Sequence, residues 1–245
     1  MHYDRAPIAE AVIDIQVSFE TPPNLQDLEK FSRALGDRLP LVHAINSFAV
    51  NFAADAENGG LQSNATAAQL GYRLSSEAND RILQVRKDGM SYSHMPPYSN
   101  WDQFVGEAQP LWKRYSEVFA ARSLSRLAVR FINRLQIESG VDIDTYLSIG
   151  PRIPDAVSTH VIGFFTQLVL PVVDLGPEYK AIINIGVEPG TTRDATGLLL
   201  DIDVFCERAV PVDGNQMWDV LQELRNHKNK IFEASITDKI REMIK

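Results

Sequence analysis

Hydrophobic and polar positions alternate with period two over residues 9–19, AEAVIDIQVSF. Ala9, Ala11, Ile13, Ile15, Val17 and Phe19 share one side; Glu10, Asp14, Gln16 and Ser18 share the other. That period predicts a half-buried strand. Pro22-Pro23 end it. Asn24, with Asp27 three residues on, predicts a helix N-terminus, and Leu25, Leu28, Phe31 and Leu35 form the buried stripe of that helix. Four strands are expected near 44–54, 68–76, 80–87 and 90–95, with Lys87-Asp88-Gly89 as a hairpin turn. Small polar residues over 54–67 predict a mobile loop.

The next pattern has helical period. Trp101, Phe104, Val105, Ala108, Leu111, Trp112, Tyr115, Val118 and Phe119 recur at i, i+3 and i+4, after Ser99 and Asp102 as a capping pair. Pro110 inside it predicts a kink or a division. Alternation returns over 125–137, SRLAVRFINRLQI. A short helix near 142–148 and strands near 160–172, 179–188 and 197–208 follow. Asp213 with Gln216 predicts the cap of a helix carrying Trp218, Leu221, Leu224, Ile231 and Phe232. Ser235 or Thr237 breaks it before a last amphipathic segment.

The halves repeat one layout: strand, helix, antiparallel strands, long helix. Residues 9–121 and 124–234 each trace it, without residue-by-residue identity. Long helices crossing antiparallel sheets cover one sheet face. The expected fold is therefore α+β, a duplication of helix-grip-like halves with pseudo-twofold symmetry. The halves are 1–123 and 124–245, as two units or one continuous domain.

The strand at 125–137 carries the sharpest chemical question. Arg126, Arg130 and Arg134 stand in file on one face; Asn133 stands among Leu127, Val129, Phe131, Leu135 and Ile137 on the other. Glu10 and Asp14 on the first strand, and Asp201 and Asp203 near the end, are candidate ion-pair partners for the arginines. The competing reading leaves arginines open to a ligand, because the planar guanidinium holds two carboxylate or phosphate oxygens at once. Asn133 is read as a structural amide that ties down buried backbone.

Composition narrows the function classes. A net charge of -8 in 245 residues argues against broad binding to nucleic acid or to an anionic membrane. Cys206 is the single cysteine, so no intramolecular disulfide is expected. The opening MHYDRAPIAEAV has no long apolar run, and no window is apolar enough for a membrane span, so the expectation is a cytoplasmic protein. The histidines, at 2, 43, 94, 160 and 227, show no metal-ligand spacing, and neither a metal nor a cofactor is expected. His227 reads as inward-facing, a core histidine or a general base near Glu10 or Asp14. No nucleophile elbow, P-loop or dinucleotide fingerprint is present, and GTTRDATG (190–197) sits where a hairpin loop belongs.

Three stretches carry a resemblance. Pro7, Ile8, Glu10 and Val12 open the chain; Arg126, Arg130, Phe131, Ile132, Asn133 and Arg134 stand mid-chain; His227, Ile231, Phe232 and Thr237 come late. The chain resembles a patchily distributed family of uncharacterised bacterial proteins of similar length. The third stretch departs from the family's spacing, since His227 is followed by Lys230-Ile231-Phe232. The resemblance implies an accessory role such as defence, immunity or regulation, with no catalytic residues to carry over. The functional expectation is a non-enzymatic module that binds a protein partner or itself. The alternative is a binder of an acidic or nucleotide-like small ligand through Arg126, Arg130 or Arg134, with His227 beside them. A hydrolase or transferase using His227 is the third reading.

Overall fold

Two strands expected to be equivalents lie side by side. β1 (Ile8–Ser18) and β6 (Ser123–Glu138) pair antiparallel, with Ile13 opposite Val129 on one face and Asp14 opposite Ala128 on the other. The structure is a computed structural model that describes all residues except 1, 2, 55–60, 141, 153, 155, 157–162, 193, 209 and 212–215. For 49–54, 61–65, 210 and 211 the backbone alone is described.

β1 and β6 sit near the middle of a single antiparallel sheet. The other strands are β2 (Leu41–Ala54), β3 (Leu61–Ser75), β4 (Arg81–Arg86), β5 (Gly89–His94), β7 (Phe165–Pro171), β8 (Tyr179–Pro189), β9 (Ala195–Cys206) and β10 (Val210–Pro211). The path across it is β2-β3-β4-β5-β1-β6-β9-β8-β7, and β10 lies alongside β6. Among the described residues four α-helices complete the mixed fold: α1 (Leu25–Arg33), α2 (Trp101–Phe119), α3 (Gln216–Ser235) and α4 (Asp238–Met243).

Apolar side chains of one sheet face and of the helices join in one core. Ile13, Ile15, Leu83, Val85 and Met90 belong to it with Phe104, Leu111, Trp112 and Tyr115 of α2. Val129, Phe131, Leu200, Ile202 and Val204 belong to it with Val220, Leu221 and Leu224 of α3. Each large apolar side chain buried there contributes about 1.5–3 kcal/mol before the entropy of ordering it is set against it. Tyr115 also donates its hydroxyl to the Arg86 carbonyl at 2.9 Å, tying α2 to the sheet.

Local signals explain the boundaries. Asn24 caps α1 by accepting the Asp27 amide at 3.0 Å. The cap of α2 is Asn100, which accepts the Gln103 amide at 2.9 Å; Ser99, expected in that role, lies one residue too early to reach the orphan amide. Pro110 does not interrupt α2. Gly89 follows the two-residue turn between β4 and β5 with φ of +147°, and an added Cβ would lie 2.0 Å from the Ile15 carbonyl oxygen.

Three expected elements differ. Residues 61–67, expected to be loop, extend β3, and the β2–β3 ladder runs out to Ala54 opposite Leu61. Backbone pairing does not require apolar side chains, so Ala, Asn and Thr suffice there. The short helix near 142–148 is a 3₁₀ turn over Ile143–Thr145, after which Leu147 bridges to Ile236. Among the described residues β7 starts at Phe165, five residues later than expected. The cap expected at Asp213, the histidines at 2 and 160, and Arg193 lie outside the described residues.

Candidate functional site

The sheet has two chemically different faces, and the candidate residues divide between them. On the face away from the helices the β6 arginines meet acids. Arg126 donates to Asp14 at 3.1 Å and to Asp203 at 2.8 Å, and its guanidinium lies 4.4 Å from the Phe205 ring centroid. Arg86 of β4 donates to the other Asp14 oxygen at 2.7 Å. Arg130 grips Asp201 with two nitrogens, at 2.8 and 2.7 Å, and Asn184 donates to the same carboxylate at 2.8 Å. Arg134 donates to Glu188 at 3.0 Å. Glu10 adds its negative field at Arg130, whose affinity for its proton is raised chiefly by the Asp201 hydrogen bonds. Burial pushes the Asp203 carboxyl up, with Arg126 pulling the other way.

The opposite face holds a cavity of about 1060 Å³. Its floor is Phe131 and Asn133 of β6. Its walls are α3, the N-terminal segment at Pro7 and Ile8, and residues 96–101 leading into α2. Asn133 is buried and donates to the Leu200 carbonyl at 2.9 Å, which satisfies a backbone acceptor next to the cavity. Tyr98, Trp101 and Phe232 supply aromatic wall. Tyr98 is fixed edge-on against Phe131, ring centroids 5.5 Å apart.

Three cations from α3, Arg225, Lys228 and Lys230, line this cavity. Lys228 is only 7% exposed, and its Nζ lies 3.8 Å from the Phe131 ring centroid. Among the described residues no carboxylate forms an ion pair with it. Burial, and then the charge of Arg225, lower its pKa to about 7, against a smaller opposing pull from Glu233. Glu233 is itself engaged: it accepts the Tyr3 hydroxyl at 3.0 Å and pairs with Arg241 at 3.3 Å. Arg225 lies with its guanidinium 5.9 Å from the Trp101 ring centroid. The Ser99 hydroxyl, on the same wall, is buried and has no hydrogen-bond partner among the described residues.

The remaining candidates do not converge. His227 is half-buried on the flank of α3, with burial and Lys230 lowering its pKa and Asp174 opposing them. It is not brought together with Asp14, which lies across the sheet. The reason is the 100° step per residue: α3 buries Leu221, Leu224, Lys228 and Phe232, so His227 falls beside the stripe. Cys206 is buried in the core, and burial pushes its thiol pKa up. Among the described residues no group of three or more His, Cys, Asp or Glu is placed to hold a metal ion. No helix among them is long and apolar enough to cross a membrane.

Lys228 carries a sequence signal that a search for histidines and arginines misses. It stands four residues after Leu224 and four before Phe232, a charged residue inside a buried stripe. A lysine in that position is buried with its charge or without it, and either case needs a reason.

Comparison with protein-family models, with curated proteins and with solved structures finds no match.

Proposed function

We propose that this protein binds an acidic small molecule in the cavity between α3, β6 and residues 96–101, with Lys228 and Arg225 as cationic anchors. One observation carries the reading: a buried lysine borders a cavity of ligand size and has no ion-pair partner among the described residues. Ligand sites are commonly apolar clefts of roughly 300–1,000 Å³ with a few convergent polar groups. The aromatic walls match that description, and a carboxylate or phosphate would supply the missing countercharge through charge-assisted hydrogen bonds. The β6 arginines support a different role, because each already holds a carboxylate.

Calorimetric titration with phenyllactate, an acid with an aromatic tail, tests this. Phenyllactate is expected to bind and its neutral amide to bind at least about tenfold more weakly, a difference of about 1.4 kcal/mol. Equal binding of acid and amide, or binding of neither, contradicts the reading.

The repeated layout is supported by strand order. Each half opens on a central strand, β1 or β6, passes to the far edge, and returns neighbour by neighbour before a long helix. On this reading residues 1–123 and 124–245 are pseudo-twofold, helix-grip-like halves, and the cavity lies at their seam. A protein-interaction role is the second reading. It is favoured by β7, an edge strand among the described residues with Phe165 and Val169 exposed, since unpaired strand edges accept a further strand. A second polypeptide retained in native mass spectrometry supports it; a monomer carrying only a bound acid counts against it.

A further inference from the structure

We propose that Lys228 is a nucleophilic amine that condenses with the carbonyl carbon of an oxo acid bound in this cavity, while Arg225 takes the carboxylate. The inference rests on the cavity being a site for acids, and adds to it the class of acid and a covalent step.

The geometry supplies what an amine nucleophile needs. A lysine is a poor nucleophile while it holds its proton, and it is activated by desolvation and by a second cation nearby. Lys228 has both. Its Nζ lies over the Phe131 ring with the residue almost wholly buried, and Arg225 stands one turn earlier on the same helix, lining the same cavity. Among the described residues, the acids that line the cavity are Asp4 and Glu233, and Glu233 is occupied by Tyr3 and Arg241. The amine's pKa of about 7 agrees, leaving a substantial neutral fraction near neutral pH. Lysines on the surface, such as Lys30 and Lys113, lack this environment: their side chains are 69% and 76% exposed.

The step balances without a redox partner. The nitrogen lone pair attacks the carbonyl carbon, and the C=O π pair moves to oxygen. That oxygen takes up the proton that nitrogen gives up, forming a carbinolamine. The nitrogen lone pair then expels that hydroxyl, which leaves as water with the remaining N–H proton, and a C=N bond joins Lys228 and the acid. One oxo acid enters, one water leaves, and hydrolysis reverses the step.

The test uses the full chain, phenylpyruvate as probe, and cyanoborohydride to reduce any imine to a stable secondary amine. Intact mass and peptide mapping then locate the adduct. The expected result is a single adduct on Lys228, absent from Lys228→Met and Lys228→Arg and suppressed by excess phenyllactate. Lys228→Arg keeps a cation at this position but has no nucleophilic amine, so it is expected to lose the adduct. Adducts spread over surface lysines equally in wild type and Lys228→Met overturn the proposal, as does no adduct at all. With no adduct but phenyllactate still bound, the imine falls and the acid site stands. With neither, both fall.

Discussion

Lys228 holds its ammonium nitrogen 3.8 Å from the centre of the Phe131 ring, inside the molecule and with no ion-paired carboxylate among the described residues. A π face compensates only part of what an ammonium loses on leaving water. Folding therefore lowers this amine's affinity for its proton, from the ordinary 10.5 to about 7.

That shift has a stability consequence. Between about 7 and 10.5 the unfolded chain binds the proton that the folded chain gives up, so this group makes stability rise with pH across that window. Below about 7 both states are protonated and the full cost of the buried charge applies. Lys228→Met removes that cost. The variant is expected to be more stable than wild type at neutral pH by on the order of 1–4 kcal/mol. The gap should close as pH rises toward 10.5. Thermal unfolding of both proteins across the window checks this, at roughly 2–4 °C per kcal/mol for a chain of this size.

Arg130 and Asp201 predict the opposite outcome. The Asp201 side chain is only 4% exposed, and Arg130 supplies two of its hydrogen bonds. Arg130→Ala leaves a buried carboxylate with Asn184 as its remaining donor among the described residues. A loss of about 3 kcal/mol is expected in urea unfolding. Phenyllactate affinity should be unchanged, because the cavity lies across the sheet. Lost binding in a variant that stays folded would return function to the arginine face.

Glu107 sets an acid limit. It accepts Arg81, Tyr92 and His94, each at 2.8 Å, and Gln103 at 2.9 Å. Burial opposes its ionisation, but these donors outweigh burial and hold the carboxyl at about 2. A carboxyl depressed on folding stabilises the protein above its ordinary 4.5 and loses that contribution as pH falls toward about 2. Glu107→Gln is expected to cost about 1–3 kcal/mol at neutral pH. It should also flatten the decline of stability over that acid range. Urea unfolding of both proteins at several pH values reads both effects.

How much of the molecule is legible in its chain depends on the range of the interaction. Asn24 and Asp27 are three residues apart, and their cap is readable from spacing alone. The faces of β6 follow from period two, so the order of residues is enough to place Asn133 among hydrophobes. Strand order is set by contacts between distant residues, which no local pattern carries. Arg130 shows the limit: its backbone stands opposite Asp203, yet its side chain takes Asp201. Long flexible side chains choose among neighbours by geometry that periodicity does not contain. Residues 61–67 of β3 read as loop because that stretch is small and polar, while its backbone pairing leaves no mark in composition. Lys228 lies beyond the same limit. Its place in the stripe is visible in the sequence, but the cavity beside it exists only once Pro7, Tyr98 and Phe131 have been brought together.

The most direct test of the central claim is NMR of lysine side chains, following the Lys228 amine through a pH titration with and without phenyllactate. Assignment comes from the spectrum of Lys228→Met. The account predicts that this amine titrates near 7, apart from the other lysines, and that phenyllactate raises its pKa by supplying the missing countercharge. Titration with the bulk of the lysines near about 10.4, unmoved by the acid, would contradict it.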